Sequence, residues 1–356
     1  MRIAVLLPRG MNFSAAHATA IDLCAWDFVR YSRFREDTMI IGEAAGPPLE
    51  GVHFSPVGAK EARIPALCRS ADRHHPDLIV VHQHLPTAHA VRRRFMKVPL
   101  VYHRHNYERE RPNPFRRFLK SRQYRSPDRI IFVSESVRSH FLEFWPEHEP
   151  KSRVIHNGLP VLEWRPEPKR LCEVVFVGRA VPEKGALEAA QAVRDALENL
   201  PDWTASFLLA GINENPSYSA RVIEIIRACG SRVAVRTNVP FMEVKRSFER
   251  AAIALVPSIW SEPFGRTAVE AHAGGAALIS SGRGGLREIS GDAALYVTPT
   301  DPRAISEAIR LLADDAPRRE ALAAAGRERA ENCFNIADKA AMLDDQLEAL
   351  ARRTSR

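Results

Sequence analysis

Cysteine is scarce in this chain: five residues in 356, at Cys24, Cys68, Cys172, Cys229 and Cys333, with no two in a C-x-x-C spacing. An odd, scattered set argues against a disulfide framework or a cysteine-based zinc module and points to a reducing compartment. Long apolar runs are missing too, so no segment reads as a membrane-spanning helix. The opening "MRIAVLLPRG" is too short in its apolar part, and lacks the small-residue cleavage site, for a signal peptide; it is expected to form a first buried strand. No Asp-x-Asp occurs, which removes the usual signal for a divalent ion bridging a diphosphate. Internal repeats and low-complexity tracts are likewise absent. These absences lead to the expectation of a cytoplasmic globular protein with no metal requirement.

What is present is ordinary soluble composition, 45% apolar and 26% charged, in a chain long enough for two cores. β-rich runs recur between polar or helical stretches. In the first half these are "RIAVLLP", "PDLIVVH", "VPLVYH", "DRIIFVS" and "SRVIHNG". In the second they are "CEVVFVG", "ASFLLAG", "RVAVRTN", "AIALVPS", "ALISS" and "ALYVTP". Strands alternating with helices such as "ALEAAQAVRDALENL" imply parallel sheets covered on both faces, an α/β architecture of two doubly wound domains. The proline- and charge-rich "EWRPEPKR", residues 163–170, reads as the linker. The expected organisation is an N-terminal domain over 1–165, a C-terminal domain over 166–335, and an amphipathic helix over 336–356 able to pack on either.

One segment has the layout of a site. "AAIALVP", residues 251–257, reads as a buried parallel strand that Pro257 ends, and "SEPFGRTAVEAHAGG" follows at 261–275. A helix is expected from about Pro263 to the Gly274-Gly275 stop. Glu262 then lies in the loop at the carboxyl end of a strand, where open α/β sheets bind ligands. The backbone donors of Phe264, Gly265 and Arg266 would point from the helix start toward an electron-rich group. Glu270, about two turns on, would accept from a pair of adjacent hydroxyls. The plain alternative is a capped, solvated helix with two surface glutamates. After the 163–170 segment, "VVFVGRAVPEKG" brings Arg179 and Lys184 to the tip of the second sheet, a planar fork and a compact charge suited to a diphosphate.

Taken together, "VIHNG", "VGRAVPEKG", "PSIWSEPFGRTAVEAHAGGAALISS" and "GRGGLREI" resemble the large retaining glycosyltransferase family 4, of the two-domain GT-B fold. That resemblance implies two Rossmann-like domains facing each other across a cleft and a UDP- or GDP-linked sugar donor. The family's paired glutamates, with seven residues between them, match Glu262 and Glu270. By the resemblance Glu262, with the backbone of Phe264 and Gly265, faces the donor sugar, Glu270 holds the ribose, and Arg179 with Lys184 holds the diphosphate. "PLVYHRHN" resembles the strand that ends in an active-site histidine, placed on His105 with His103 as the alternative. Where family members carry a double-glycine turn after the first strand, "LLPRGMNFSAAH" has only Gly10, the remaining candidate for an acceptor or phosphate loop. The implied chemistry is front-face attack by an acceptor hydroxyl, with Glu262 positioning the sugar and His105 orienting or polarising groups near the reacting centre.

Two other classes compete. "HQH" at 82–84 and "HRH" at 103–105 each place two imidazoles on one side of an extended segment, as metal ligands can be. A formal charge of +8, with thirteen Lys or Arg against three Asp or Glu over residues 92–129, raises nucleic-acid binding, yet no nucleic-acid motif is present. The mix of Phe115, Arg116, Arg117, Lys120 and Arg122 suits an anionic membrane surface instead. The sequence is therefore read as a nucleotide-sugar-dependent hexosyltransferase acting on a glycan or glycolipid at the cytoplasmic face of a membrane, in bacterial surface polysaccharide or lipopolysaccharide synthesis. A phosphorylase or nucleotide-sugar hydrolase on the same fold is the enzymatic alternative, and nucleic acid is not an expected partner.

Overall fold

Short aliphatic runs become the strands of two parallel sheets in the computed structural model, which describes residues 1–14, 18–58, 63–108 and 113–354. The first sheet holds β1 (Ile3–Leu6), β2 (Thr38–Gly42), β3 (His53–Pro56), β4 (Leu78–His82), β5 (Leu100–Arg104), β6 (Arg129–Phe132) and β7 (Ser152–Val154), in the order β3-β2-β1-β4-β5-β6-β7. The second holds β8 (Leu171–Arg179), β9 (Thr204–Ala210), β10 (Val233–Thr237), β11 (Ala251–Val256), β12 (Ala277–Ser280) and β13 (Ala294–Tyr296), in the order β10-β9-β8-β11-β12-β13. Every named pairing is parallel. The central strands are buried along their whole length, which is why they read as continuous apolar runs rather than alternating ones.

The chain divides into two units, Met1–Gly158 with Ile336–Arg356, and Leu159–Asn335. The last helix, Ile336–Thr354, belongs to the first. Ile336, Ala340, Leu343, Leu347 and Leu350 form an apolar stripe packed with Cys24, Ala25 and Phe28 of the helix Ala20–Tyr31. Asp344 on its flank accepts from Ser32 Oγ (2.7 Å) and from the Arg33 amide (2.8 Å).

The segment 163–170, read as a linker, is bound into the second unit. The Arg165 amide donates to Glu249 Oε1 (2.5 Å) and the Glu167 amide to the Glu249 carbonyl (2.8 Å). Arg170 donates to the carbonyls of Phe248, Ala251 and Gly274, binding the segment to the base of β11. Two backbone amides and one guanidinium thus anchor the segment, while Glu163, Arg165, Glu167 and Lys169 remain exposed. β2 and β3 had no counterpart in the sequence reading. β3 is the sheet edge, half exposed, with no apolar run to mark it.

Candidate functional site

In the second sheet the strand order changes direction between β8 and β11: the chain leaves β8 toward β9 and leaves β11 toward β12, on opposite sides. Their adjoining carboxyl ends therefore open a crevice, the place where doubly wound sheets take ligands. Lys184 follows β8, in the single turn Pro182–Lys184, and Glu262 follows β11. The two meet there, with Lys184 Nζ 2.5 Å from Glu262 Oε1. Ser258 Oγ donates to the same oxygen at 2.6 Å. Only 6% of Glu262 is exposed, so the lysine and the hydroxyl compensate a largely desolvated carboxylate. The Lys184 ammonium also stands 5.6 Å from the centre of the Trp260 ring.

The helix after Glu262 runs Arg266–Ala273, three residues later than Pro263 would start it. Gly265 has φ +104 and serves as its N-cap, and the Gly285 amide donates to the Glu262 carbonyl at 2.7 Å, holding the preceding loop extended. Phe264 is buried, so its contribution to any ligand runs through its backbone. Glu270, 6% exposed, accepts from Arg266 Nε at 3.0 Å, one helical turn earlier. Arg179, at the end of β8, donates to Glu214 Oε2 at 2.7 Å with both side chains about half exposed. His272 on the same helix is fully buried, bonded to Ser290 Oγ at 3.0 Å, and burial with help from Arg329 lowers its pKa to about 4.

The remaining candidates lie in the first unit. β4 and β5 pair with His82 beside His103, so three of the four histidines of the two doublets, His82, His103 and His105, gather, while His84 turns to Thr87 Oγ1 at 2.7 Å. His105 shares a 2.9 Å hydrogen bond between its Nε2 and His82 Nδ1, and its amide donates to Gln83 Oε1 at 2.7 Å. Gln83 has φ +55, and its side-chain oxygen also takes the Asn106 amide (3.1 Å), which fixes the end of β5. Burial lowers the pKa of His82 to about 3 and holds His103 and His105 well below the ordinary imidazole value. His105 retains a sliver of surface while His103 has none. Gly10 lies in the loop after β1, at the matching reversal of the first sheet, with its amide 3.3 Å from Glu43 Oε1.

The basic stretch forms the helix Pro114–Tyr124, capped by Asn113 Oδ1 on the Arg116 amide (2.8 Å) and held down by buried Tyr124. Phe115 and Phe118 are 70% and 58% exposed, among exposed Arg116, Arg117 and Arg122. Lys120 instead pairs with Glu108. Residues 109–112 of that stretch lie outside the described residues. No helix among the described residues is long and apolar enough to cross a membrane.

Sequence reading missed Ser258, Gln83, Trp260 and the partner carboxylate Glu214. Ser258, four residues before Glu262, and Gln83, inside the histidine doublet, had local signals. Glu214 had none, because only the pairing of β8 with β9 brings it to Arg179.

Residues 165–329 match the family "Glycosyl transferases group 1", and residues 40–161 match "Glycosyltransferase Family 4". Among relatives, the glycogen synthase of Mycobacterium tuberculosis is 28% identical over 279 residues, 73% of this chain and 66% of that protein. The D-inositol 3-phosphate glycosyltransferase of Kineococcus radiotolerans is 26% identical over 273 residues, 66% of this chain and 62% of that protein. The matched region thus spans a little under two thirds of these relatives' own length. In structure, Anabaena HepE, solved with UDP and glucose, superposes with a TM-score of 0.80 at 18% identity over 98% of this chain and all of that one. The trehalose-6-phosphate synthase OtsA does so with 0.78 at 14%, over 98% and 99%. The two sheets are those of the GT-B fold, and the two family matches fall one on each unit: the chain belongs to the group 1, family 4 glycosyltransferases.

Proposed function

We propose that the protein transfers a hexosyl group from a nucleoside-diphosphate sugar to a hydroxyl of a glycan or glycolipid, with retention. The observation that carries this is the buried Glu262 carboxylate, held by Lys184 and Ser258 at the β8/β11 reversal beside a helix start. In this reading Lys184 turns from Glu262 to the diphosphate when the donor binds, and Arg179 exchanges Glu214 for phosphate oxygens. Glu262, freed of its lysine, accepts from sugar hydroxyls. Glu270, already aligned by Arg266, accepts from the ribose diol. As the anomeric carbon becomes cation-like, Arg179, Lys184 and the amides at the helix start stabilise the charge gathering on the diphosphate. The acceptor hydroxyl attacks from the face the diphosphate leaves and passes its proton to the departing phosphate oxygen, so no carboxylate nucleophile is needed. HepE, crystallised with UDP-glucose, favours UDP as the nucleotide.

Calorimetry with UDP and GDP tests the division of roles. Glu270→Ala is expected to weaken free-nucleotide binding by about 1.5–3 kcal/mol, the range of charge-assisted hydrogen bonds. Glu262→Ala is expected to spare the free nucleotide and to reduce turnover. Equal nucleotide losses at the two sites would defeat the assignment.

The acceptor side is proposed to work at the cytoplasmic face of a membrane, in surface polysaccharide or lipopolysaccharide synthesis. Two exposed phenylalanines among exposed arginines support it. Sedimentation with anionic but not neutral vesicles, reversed by salt, is the expected result. Replacing Arg116, Arg117 and Arg122 together by glutamine is expected to remove about 3 kcal/mol of attraction at about 1 kcal/mol per surface cation, while UDP affinity is retained. Undiminished vesicle binding by that variant would reject this face. A preference for nucleic acid over vesicles at physiological salt would reject the membrane reading altogether.

A further inference from the structure

His103 is the least explained polar side chain in the first unit. It is fully buried, and neither ring nitrogen has a hydrogen-bond partner among the described residues. An orphaned buried donor or acceptor loses its bonds to water without replacement, and a neutral imidazole has one of each. Its surroundings do not supply a partner: the Phe28 ring meets it edge-on at 5.7 Å between centroids, and the rings of His105 and His82 lie 4.5 and 4.9 Å away. Cys24, buried in the helix Ala20–Tyr31, faces the same space, with its thiol 3.0 Å from Asn157 Oδ1. One ligand atom each from Cys24, His103 and His105 can be chosen so that all three lie within 4.8 Å of one another.

We propose that Cys24, His103 and His105 form a binding site for one transition-metal ion of the zinc class, held by a thiolate and two imidazoles. Sulfur and nitrogen are the donor set such ions prefer, while hard magnesium or calcium would find too few oxygens. Zn–N bonds of about 2.0–2.1 Å and a Zn–S bond of about 2.3 Å put tetrahedral ligands roughly 3.3–3.7 Å apart, so each side chain need close in by less than about 1 Å. On binding, the Cys24 thiol releases its proton to solvent and the sulfur lone pair forms the metal bond. His82 acts through His105. With the shared proton on His105 Nε2, the other ring nitrogen presents its lone pair to the ion. Water or an acceptor oxygen takes the fourth position. All three ligands belong to the first unit and the donor diphosphate residues to the second.

Occupancy has a consequence that rests on reading His105 as the active-site histidine: the ion would claim His105 and lower turnover, making zinc an inhibitor rather than a cofactor. The test uses the full chain without a histidine tag, reduced and stripped with a chelator, then titrated with Cd²⁺ or Zn²⁺. A thiolate-to-cadmium charge-transfer band saturating at one equivalent per chain is expected. Cys24→Ser is expected to abolish it, and His103→Gln to weaken binding at least about a hundredfold, since losing a ligand should exceed the loss of an outer-shell partner. X-ray absorption of the zinc-loaded parent, which needs no variant, should show one sulfur and at least two imidazoles. A shell without sulfur, no band in the parent, or a band retained by Cys24→Ser would overturn the site. A band that forms while turnover is unchanged keeps the metal site and removes His105 from the chemistry.

Discussion

Lys184→Ala is expected to lower turnover by at least a hundredfold, and Arg179→Ala by a similar factor, with EDTA not lowering the parent enzyme's rate. The scale is that of removing one preorganised donor from a group that gains charge in the transition state. The two residues should differ in stability. Arg179 shares a half-exposed ion pair with Glu214, worth about 0–1 kcal/mol, so its removal should hardly move the melting temperature. Lys184 compensates a carboxylate that is 6% exposed, and its loss leaves Glu262 with Ser258 as the compensating contact at that oxygen. A stability loss should therefore accompany the kinetic one. Single-turnover rates at saturating donor, measured below the melting temperature of each variant, separate the two. Full activity of Lys184→Ala, or an EDTA loss restored by a divalent ion, would contradict diphosphate binding by protein cations alone.

The second large effect is expected at Gly185, the residue that joins Lys184 to the helix Ala186–Leu197. Its φ is +70, a left-handed conformation costing other residues roughly 1–2 kcal/mol. A Cβ there would stand 2.3 Å from the Pro257 carbonyl oxygen, at the end of β11. The obstacle is backbone rather than a flexible side-chain tip, so the carboxyl ends of β8 and β11 must separate to admit it. Gly185→Ala is expected to cost about 3 kcal/mol or more in all. That corresponds to a fall of roughly 6–12 °C in the melting temperature of the second unit. The same displacement would pull Lys184 from Glu262, so donor binding should weaken even though no ligand-contacting side chain has changed. Differential scanning calorimetry and UDP titration of the variant check both halves. A melting temperature within about 1 °C of the parent would show that the crevice has slack the structure does not suggest.

Local pattern alone determined a good deal here. Runs such as "VVFVG" and "AAIALVP" are strands because both sheet faces are covered, so every residue along them must be apolar. The helix through Glu270 stops where Gly274-Gly275 stops it, and the pairing of Glu262 with Glu270 is visible as a spacing. The period of the last helix announces an apolar stripe at Ile336, Ala340, Leu343 and Leu347. Each of these depends on residues within one or two turns of one another.

The tertiary structure decided what lies opposite. The stripe on the last helix carries no information about which unit will cover it, and packing against Cys24 and Phe28 settles the matter. Proline and charge in residues 163–170 read as a linker, and only the fold shows that Glu249 and the carbonyls around Gly274 bind the segment. Gly265, rather than Pro263, sets the helix start because the loop before it is tied to Gly285. The Lys184–Glu262 pair spans 78 positions and exists because the sheet order reverses between β8 and β11, just as His82 meets His103 through strand register. The physical reason is common to all of these: side-chain periodicity reports which face of an element is apolar, whereas the partner of that face is selected by a global packing that no single segment encodes.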